Sequence, residues 1–571
     1  MYNTAQPGCR RRGEAYLIAA LALVCIVLFV PGAFFRDLWS PSEPRYAEVA
    51  REMVESGQWI VPHLNYEMYS DKPPLFFWLI ALSAKVFGGF TAFAVVLPSC
   101  LAGIGTVLLT YMLGKKMFRS SLVGFLGGVI LATSAEFLAQ SNSAKMDTLL
   151  TCFETVSVFS FWQWHIEQTR SYLVPFYIGM ALAVLTKGPV GLLPLLVALV
   201  YLAISRQGAR VRQMHLALGL LGIAAITAAW LVPAAVIGGE SYWRDILGRQ
   251  IFGRVVKSWS HQRRFYYYMV PFTWGFLPWF ALLPAAIIRY ARERTERTAL
   301  PTKFVVTWFL TIFIFFTAIS GKRVPYILPL YPACALFLAK YLADIVAIGD
   351  RKPVELKVCF AVLFVALIGS GIMFGIIPFI SQYKVAIPPM NKLGTVLTPL
   401  NIAGRKWIFY MASAYLAVTG ISGLLSLRAR TLKPAIIVVS CFMVCLVALA
   451  NPIIIPFANQ YTSAKPLGNT IKEVRKETER VGMYATYDAD FTYYTESRIE
   501  KIENGQDLVA FLEQPGGAFC IIRSNDLERV KVPLPQGTVS LGTFKLGRKT
   551  LILLYNPPDS SRSSKSGTEL P

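Results

Sequence analysis

The chain is an alternation of apolar stretches and short polar connections, and this pattern limits what it can fold into. Roughly thirteen stretches approach the ~20 residues that a helix needs to cross a bilayer. They fall near 14–34, 91–113, 121–139, 147–166, 171–186, 188–205, 214–237, 269–289, 303–319, 325–346, 356–380, 406–427 and 433–455. In hydrocarbon every backbone N–H and C=O must be bonded within the protein, so each stretch is expected to be a helix. With 55% hydrophobic residues over 571 positions and a mean hydropathy of +0.49, a soluble globular fold is excluded. The first apolar run, from about Ala15 to Phe35, is too long for a cleavable signal and lacks a small-residue cleavage site before Arg36, so it is expected to stay as the first span.

The charges give the spans a direction. With Arg10, Arg11 and Arg12 in the cytoplasm, every second connection is basic. These are Lys115/Lys116/Arg119, Arg170, Arg206/Arg210/Arg212, Arg289 to Lys303, Arg351/Lys352/Lys357 and Arg428/Arg430/Lys433. The other face receives 35–90, 140–147, 186–189, 238–268, 320–326, 381–404 and the segment from 456. Segment 73–88 is apolar but short. Counting it as a span would invert every later loop, so it reads as a helix lying at the interface.

A net charge of +23 exceeds what topology alone explains and points to anionic lipid head groups rather than nucleic acid. The nine cysteines lie mostly inside apolar stretches without a CxxC pair, so no disulfide framework is expected.

Three regions follow: a membrane domain over 1–455, a soluble α/β domain over 456–556 on the outer face, and a polar tail over 557–571 expected to be disordered. Within the first outer loop, 35–90, Pro44 opens and Gly57 closes an amphipathic helix, and 73–88 forms a second. In the soluble domain the pattern predicts a charged helix over 463–478, strands at 481–486, 491–496, 518–523, 537–545 and 549–555, and a helix near 505–513.

The chemistry-bearing residues collect on the outer face. They are Ser42-Glu43-Pro44-Arg45-Tyr46, Asp71-Lys72, Lys145-Met146-Asp147, Lys187, His261-Gln262-Arg263-Arg264 and Lys322-Arg323-Val324-Pro325-Tyr326. Any one cluster reads equally as an interfacial anchor or a local salt bridge. Their convergence on one side reads as a site. Cations at head-group depth suit a phosphate, with arginine bidentate and lysine a point charge. Glu43, Asp71 and Asp147 are left to orient cations, contact sugar hydroxyls or bind a metal. An outer carboxylate with His261 is a partial set for a divalent ion. His63, His165 and His215 have no such company and read as structural.

The stretches 38–64, 69–78, 145–150, 185–193, 261–279 and 320–332 resemble the polyprenyl-phosphate-dependent glycosyltransferases of the GT-C class. Within that class they look most like the lipid A aminoarabinose transferases, relatives of the protein mannosyltransferases. The resemblance implies a polytopic α-helical membrane protein of about thirteen spans, with interfacial helices in the first periplasmic loop and a small C-terminal periplasmic α/β domain. It would sit in a bacterial inner membrane with a cytoplasmic N-terminus. Its donor would be an undecaprenyl-phosphate-linked sugar, with aminoarabinose as the sugar, and its acceptor lipid A or a related glycolipid. No organic cofactor is implied.

By the same resemblance, Lys72, Arg264 and Tyr326 would hold the carrier phosphate, and Asp71 and His261 would mark the position of a divalent metal. The candidate catalytic set is Glu43, Asp71, Lys72 and Asp147. The candidate substrate-binding set is Arg45, Lys72, Lys145, Lys187, Arg263, Arg264, Lys322, Arg323 and Tyr326. One position departs from the family pattern: the first-loop motif usually opens with an aspartate, and here it opens with Ser42.

A phosphate monoester acceptor would ease that loss. With a second pKa of about 6 it is already largely ionised and needs no strong base. Three alternatives stay open. One is transfer of another lipid-linked sugar, or transfer to a protein or core saccharide. Another is an inactive relative, suggested by Ser42. The third is a lipid transporter, which would need ionisable groups inside the spans, where the sequence shows few.

Overall fold

The computed structural model of the chain describes residues 7–246, 263–295, 299–349, 353–382 and 406–558, apart from 477, 531 and 548. Among the described residues eight helices are long and apolar enough to cross a membrane: Gly13–Phe35, Ala92–Phe118, Leu216–Arg244, Leu300–Ala318, Val324–Ile348, Val354–Phe379, Lys406–Ser426 and Lys433–Thr462. Two bent pairs, Ser121–Ala132 with Ala135–Ser141 and Phe265–Gly275 with Trp279–Arg292, pass the same test as single spans. The stretches 147–166, 171–186 and 188–205 fall on helices Met146–Glu167, Leu173–Lys187 and Pro189–Ile204. The last two are short. The first carries Asp147, Glu154 and a row of hydroxyls that lower its hydropathy.

All of those hydroxyls but that of Thr148 are bonded inside their own helix. Thr151 and Thr155 each donate to the carbonyl four residues back, at 2.8 and 2.7 Å, and Ser160 does the same at 2.8 Å. Such back-bonding pairs most of the side-chain donors of a polar helix that sits among apolar neighbours. Close helix approach uses small residues. At Gly124 a Cβ would stand 2.4 Å from the Tyr111 carbonyl oxygen, so the helices Ala92–Phe118 and Ser121–Ala132 meet only because glycine is there.

The two bent pairs complete each other. They turn by 70° and 103°. A break frees backbone groups that lipid cannot satisfy. Here the Ala135 amide donates to the Leu277 carbonyl at 3.1 Å, and the Trp279 indole donates to the Thr133 hydroxyl at 2.8 Å. Two breaks in separate spans therefore cover one another's exposed polar groups.

The first loop contains the two expected helices, Glu43–Ser56 and Leu75–Val86. Pro44 lies in the first turn of Glu43–Ser56, and Gly57 ends it in the left-handed region at φ 70°. Between the helices lies a hairpin absent from the sequence reading, β1 (His63–Leu64) with β2 (Glu67–Met68), turned by Asn65 and Tyr66 at φ 59° and 62°. The first helix does not simply rest on lipid. Its polar residues Glu43, Glu48, Arg51 and Glu52 are buried, and the C-terminal domain packs along it.

That domain holds a five-stranded sheet in the order β4-β3-β5-β7-β6, with β3 as Arg480–Tyr484, β4 as Ile499–Ile502, β5 as Ala518–Arg523, β6 as Val539–Leu546 and β7 as Lys549–Asn556. β3 pairs in parallel with β4 and β5, whereas β7 runs antiparallel to β5 and β6. The strand expected at 491–496 is instead helix Ala489–Thr495, capped by Asp488. Its aromatic residues favour a strand locally, but they pack and bond as a helix against the first loop. The Tyr494 hydroxyl donates to the Leu38 carbonyl at 2.8 Å and that of Tyr493 to the Phe90 carbonyl at 2.6 Å. Asn65 pairs both ways with the Ile499 backbone, at 3.0 and 2.8 Å. The charged helix is shorter than expected, Lys465–Val474.

Candidate active site

The site forms where helix ends from distant parts of the chain converge. Asp147 lies in the first turn of Met146–Glu167, and Lys187 in the last turn of Leu173–Lys187. Each charge opposes the helix dipole at its own end, which favours both placements. The two are ion-paired, with only 12% of each side chain exposed. The Lys187 ammonium also stands 4.4 Å from the Tyr326 ring centroid, an attractive cation–π geometry. Asp147, Lys187 and Tyr326 thus form one unit from three separate segments.

Tyr46 is the second centre. Its ring packs on Phe76 and Phe77 of the second loop helix, at centroid distances of 5.8 and 5.9 Å. Its hydroxyl is within electrostatic reach of Asp147, Arg45, Arg323 and Asp71. Burial first, and then Asp147, push the phenol pKa up, while Arg45 and Arg323 oppose the shift. Tyr46 therefore stays a protonated donor, suited to an anionic oxygen. Five of the expected site residues gather around these two centres: Arg45, Asp147, Lys187, Arg323 and Tyr326. Asp71 joins them through Tyr46, and Lys72 follows it in the chain, both half-buried.

Lys145 faces the first loop and donates a hydrogen bond to the Ser42 hydroxyl. Its backbone is clamped by Ser99, whose hydroxyl accepts from the Lys145 amide at 3.1 Å and donates to its carbonyl at 3.0 Å.

Glu43 has a different setting from the one expected. One oxygen accepts from Arg36 at 2.5 Å and from the Trp39 amide at 2.7 Å, and the other from the Ala144 amide at 3.0 Å. Arg36 also donates to the Ser143 hydroxyl at 3.1 Å. Glu43 is buried and ties the first loop to the 142–144 turn. Lys322 is likewise buried and folds back to donate to the Ile319 carbonyl. Arg263 and Arg264 are exposed. Arg264 donates to the Tyr266 hydroxyl at 2.8 Å, and the Arg263 amide donates to the Ser320 carbonyl at 3.2 Å, which holds this stretch against the Lys322–Tyr326 turn.

His261 lies outside the described residues. Among the described residues no three His, Cys, Asp or Glu side chains converge on a point that would hold a metal.

Two residues escaped the sequence reading. Tyr46 stands inside the Ser42–Tyr46 motif, where its residue type assigns it no role. Glu154 is buried in a span with neither oxygen hydrogen-bonded. Its spacing of seven from Asp147, which puts both on one helical face, was the available signal.

The chain is similar to known proteins in sequence and in fold. Residues 71–232 match the family model described as dolichyl-phosphate-mannose-protein mannosyltransferase. An undecaprenyl phosphate-alpha-4-amino-4-deoxy-L-arabinose arabinosyl transferase of Proteus mirabilis is 28% identical over 419 residues, covering 70% of this chain and 74% of that relative. The corresponding Enterobacter protein is 30% identical over 344 residues, 59% of this chain and 61% of its own length. The crystal structure of ArnT from Cupriavidus metallidurans bound to undecaprenyl phosphate superposes with a TM-score of 0.72 over 97% of this chain and 99% of that one, at 20% identity. Its apo form gives 0.73 over 96% and 98%, also at 20% identity. The fold is thus the GT-C fold in the form taken by ArnT. By fold the chain is a multi-pass membrane protein with the ArnT-like GT-C fold, and in sequence it is similar to the aminoarabinose transferases and, through its 71–232 segment, to the protein mannosyltransferases.

Proposed function

We propose that the chain transfers 4-amino-4-deoxy-L-arabinose from undecaprenyl phosphate to lipid A or a related glycolipid. The reaction takes place at the outer face of a bacterial inner membrane, with the N-terminus cytoplasmic and the sheet domain periplasmic. The names of the sequence relatives support the sugar and the carrier. The observation that carries the reading is Lys187, held between Asp147 and Tyr326 at the meeting point of three segments.

An oxygen of the acceptor phosphate attacks the anomeric carbon. The bond from that carbon to the carrier phosphate breaks, and its electron pair leaves with the phosphate. An ionised phosphate acceptor needs no proton removed, and the departing phosphate is a stable anion that needs none delivered. Catalysis then rests on positioning and on cations aimed at the growing charge. Lys187 turns from Asp147 toward the departing phosphate, and Tyr46 and Tyr326 supply hydroxyls. A second reading, a hydroxyl acceptor, is favoured by the mannosyltransferase match over 71–232. There Asp147, released as Lys187 turns to phosphate, would take the proton.

The test is transfer of labelled sugar to lipid A in a reconstituted system. Lys187→Ala and Lys72→Ala are expected to lower transfer at least tenfold. Asp147→Asn is expected to tighten carrier binding while slowing transfer, because Lys187 loses its competing partner. Unchanged transfer in Lys187→Ala would sink the reading. The divalent ion at Asp71 and His261 belongs to the same proposal. Chelation should weaken carrier binding in the wild type and not in Asp71→Ala, and equal binding with and without chelator would remove the metal.

A further inference from the structure

The sheet domain presses the short helix Ala489–Thr495 onto the first-loop helix. Inside this joint Asp490 is wholly buried. Neither of its carboxylate oxygens meets a donor in hydrogen-bonding geometry, although the Ser40 side chain is close by. From the first loop Arg45 approaches, with its Nε buried and also unbonded, and both Asp488 and Asp490 lie within its electrostatic reach. A half-buried arginine and a buried acid thus lie within electrostatic reach of each other across a domain boundary, with the arginine Nε and both carboxylate oxygens unbonded.

The other charges of the packed elements are already engaged. Asp488 is paired with Lys549 of β7 at 3.1 Å. On helix Lys465–Val474, Lys465 pairs with Asp37 at 3.1 Å and Lys472 with Glu496 at 2.6 Å. On helix Glu43–Ser56, Arg51 is paired with Glu48 and Glu55, each at 2.6 Å, and Glu52 accepts from the amides of Asn65 and Tyr66.

We propose that Asp490 is a positioning residue for Arg45: the sheet domain supplies a carboxylate close to the loop that carries Ser42, and the charge on Asp490 sets how freely Arg45 serves the anionic head group at the site. This rests on the functional reading above. Burial first, and then Asp488, push the Asp490 pKa up to about 7, with partial relief from Ser40, Arg45 and Lys549. Between pH 6 and pH 8 the group would pass from about one tenth to about nine tenths ionised. Neutral Asp490 leaves Arg45 to the substrate, and ionised Asp490 draws it toward the sheet domain. Affinity for an anion therefore falls as pH rises through this range.

The experiment is binding of undecaprenyl phosphate to the full chain in detergent at pH 6 and pH 8, for wild type, Asp490→Asn, Arg45→Gln and the double variant. The lipid's own second ionisation is common to all four. The wild type is expected to lose about threefold more affinity from pH 6 to pH 8 than Asp490→Asn does. Arg45→Gln should remove the same pH-dependent excess, and in that background Asp490→Asn should change nothing further. If Asp490→Asn fails to fold, the Arg45→Gln comparison alone decides. Identical pH dependence in wild type and variants overturns the proposal and leaves the functional reading standing. Absence of binding in every protein at both pH values overturns the two together.

Discussion

The side chain of Lys145 donates its hydrogen bond to the hydroxyl of Ser42, joining the turn that opens helix Met146–Glu167 to the start of the first-loop helix. A serine there holds the lysine without cancelling its charge. An aspartate would convert the contact to an ion pair, which is stronger and shorter. For a half-exposed pair the gain is about 1 kcal/mol or less. Ser42→Asp is therefore expected to raise the unfolding midpoint by a degree or two and to raise KM for the lipid donor about threefold, because Lys145 loses net charge toward phosphate. Steady-state kinetics on the reconstituted protein read both limits. A rise in turnover with KM unchanged would mean instead that Ser42 impairs this enzyme.

Glu43 illustrates how a motif residue can be visible in sequence while its role is not. It sits in the quoted motif and reads as a catalytic acid, but its partners Arg36 and Ala144 become neighbours only in the fold. Both members of the Arg36–Glu43 pair are almost fully enclosed, at 3% and 1% side-chain exposure. Removing one partner of such a pair strands the other, at about 3–5 kcal/mol. Glu43→Ala should therefore show up as lost thermal stability and poor extraction yield before any kinetic effect is measurable. Arg36→Met with Glu43→Leu should recover most of the loss. A well-folded Glu43→Ala protein with abolished transfer would return Glu43 to catalysis.

The helices of the membrane part were legible because hydropathy is a local signal, and each expected span falls on a helix or a bent pair of helices. The bends were not legible, since their justification is the mutual pairing of Ala135 with Leu277 and Trp279 with Thr133. The helix Ala489–Thr495 was misread because Phe491, Tyr493 and Tyr494 carry strand propensity, whereas their placement is decided by contacts with Leu38 and Phe90 more than 400 residues earlier. Residue type singled out Arg45, Lys187 and Arg323, which the fold brings near Asp147 and Tyr46. Tyr46 and Glu154 were not singled out, because a tyrosine or a lone carboxylate acquires meaning only from what surrounds it.

Carboxyl groups in the joint between first loop and sheet domain give stability a pH slope. Burial, and then repulsion from Glu48, push the Glu52 pKa up to about 8, against the amide donors of Tyr66 and Asn65. Asp490 stands near 7. In the unfolded chain both would titrate near 4. Below that range both states are protonated and the joint has its full stability. As pH rises toward 8 the unfolded chain gives up protons that the folded state still holds, so unfolding becomes easier. The midpoint of unfolding should thus fall by a few degrees between pH 5 and pH 8.5, and Glu52→Gln should flatten that slope. Equal slopes in wild type and variant would show that Glu52 does not govern it.

Glu154 offers the sharpest separation of stability from function. It lies two turns beyond Asp147 on the same helix, buried, with Lys187 and Asp147 in electrostatic reach and neither oxygen hydrogen-bonded. An unsatisfied buried polar group costs roughly 1–3 kcal/mol, and an apolar residue of similar volume relieves that cost. Ionisable residues inside spans are therefore rarely kept without use. Glu154→Leu is expected to raise the unfolding midpoint in detergent by about 2–4 °C and to lower transfer, since an acid beneath the Asp147–Lys187 pair shapes where Lys187 rests. Glu154→Gln, which keeps the shape, should fall between the two in both measurements. A lower midpoint in Glu154→Leu would show that the carboxyl is bonded in the folded protein, and the argument for a stability–function trade at this position would fail.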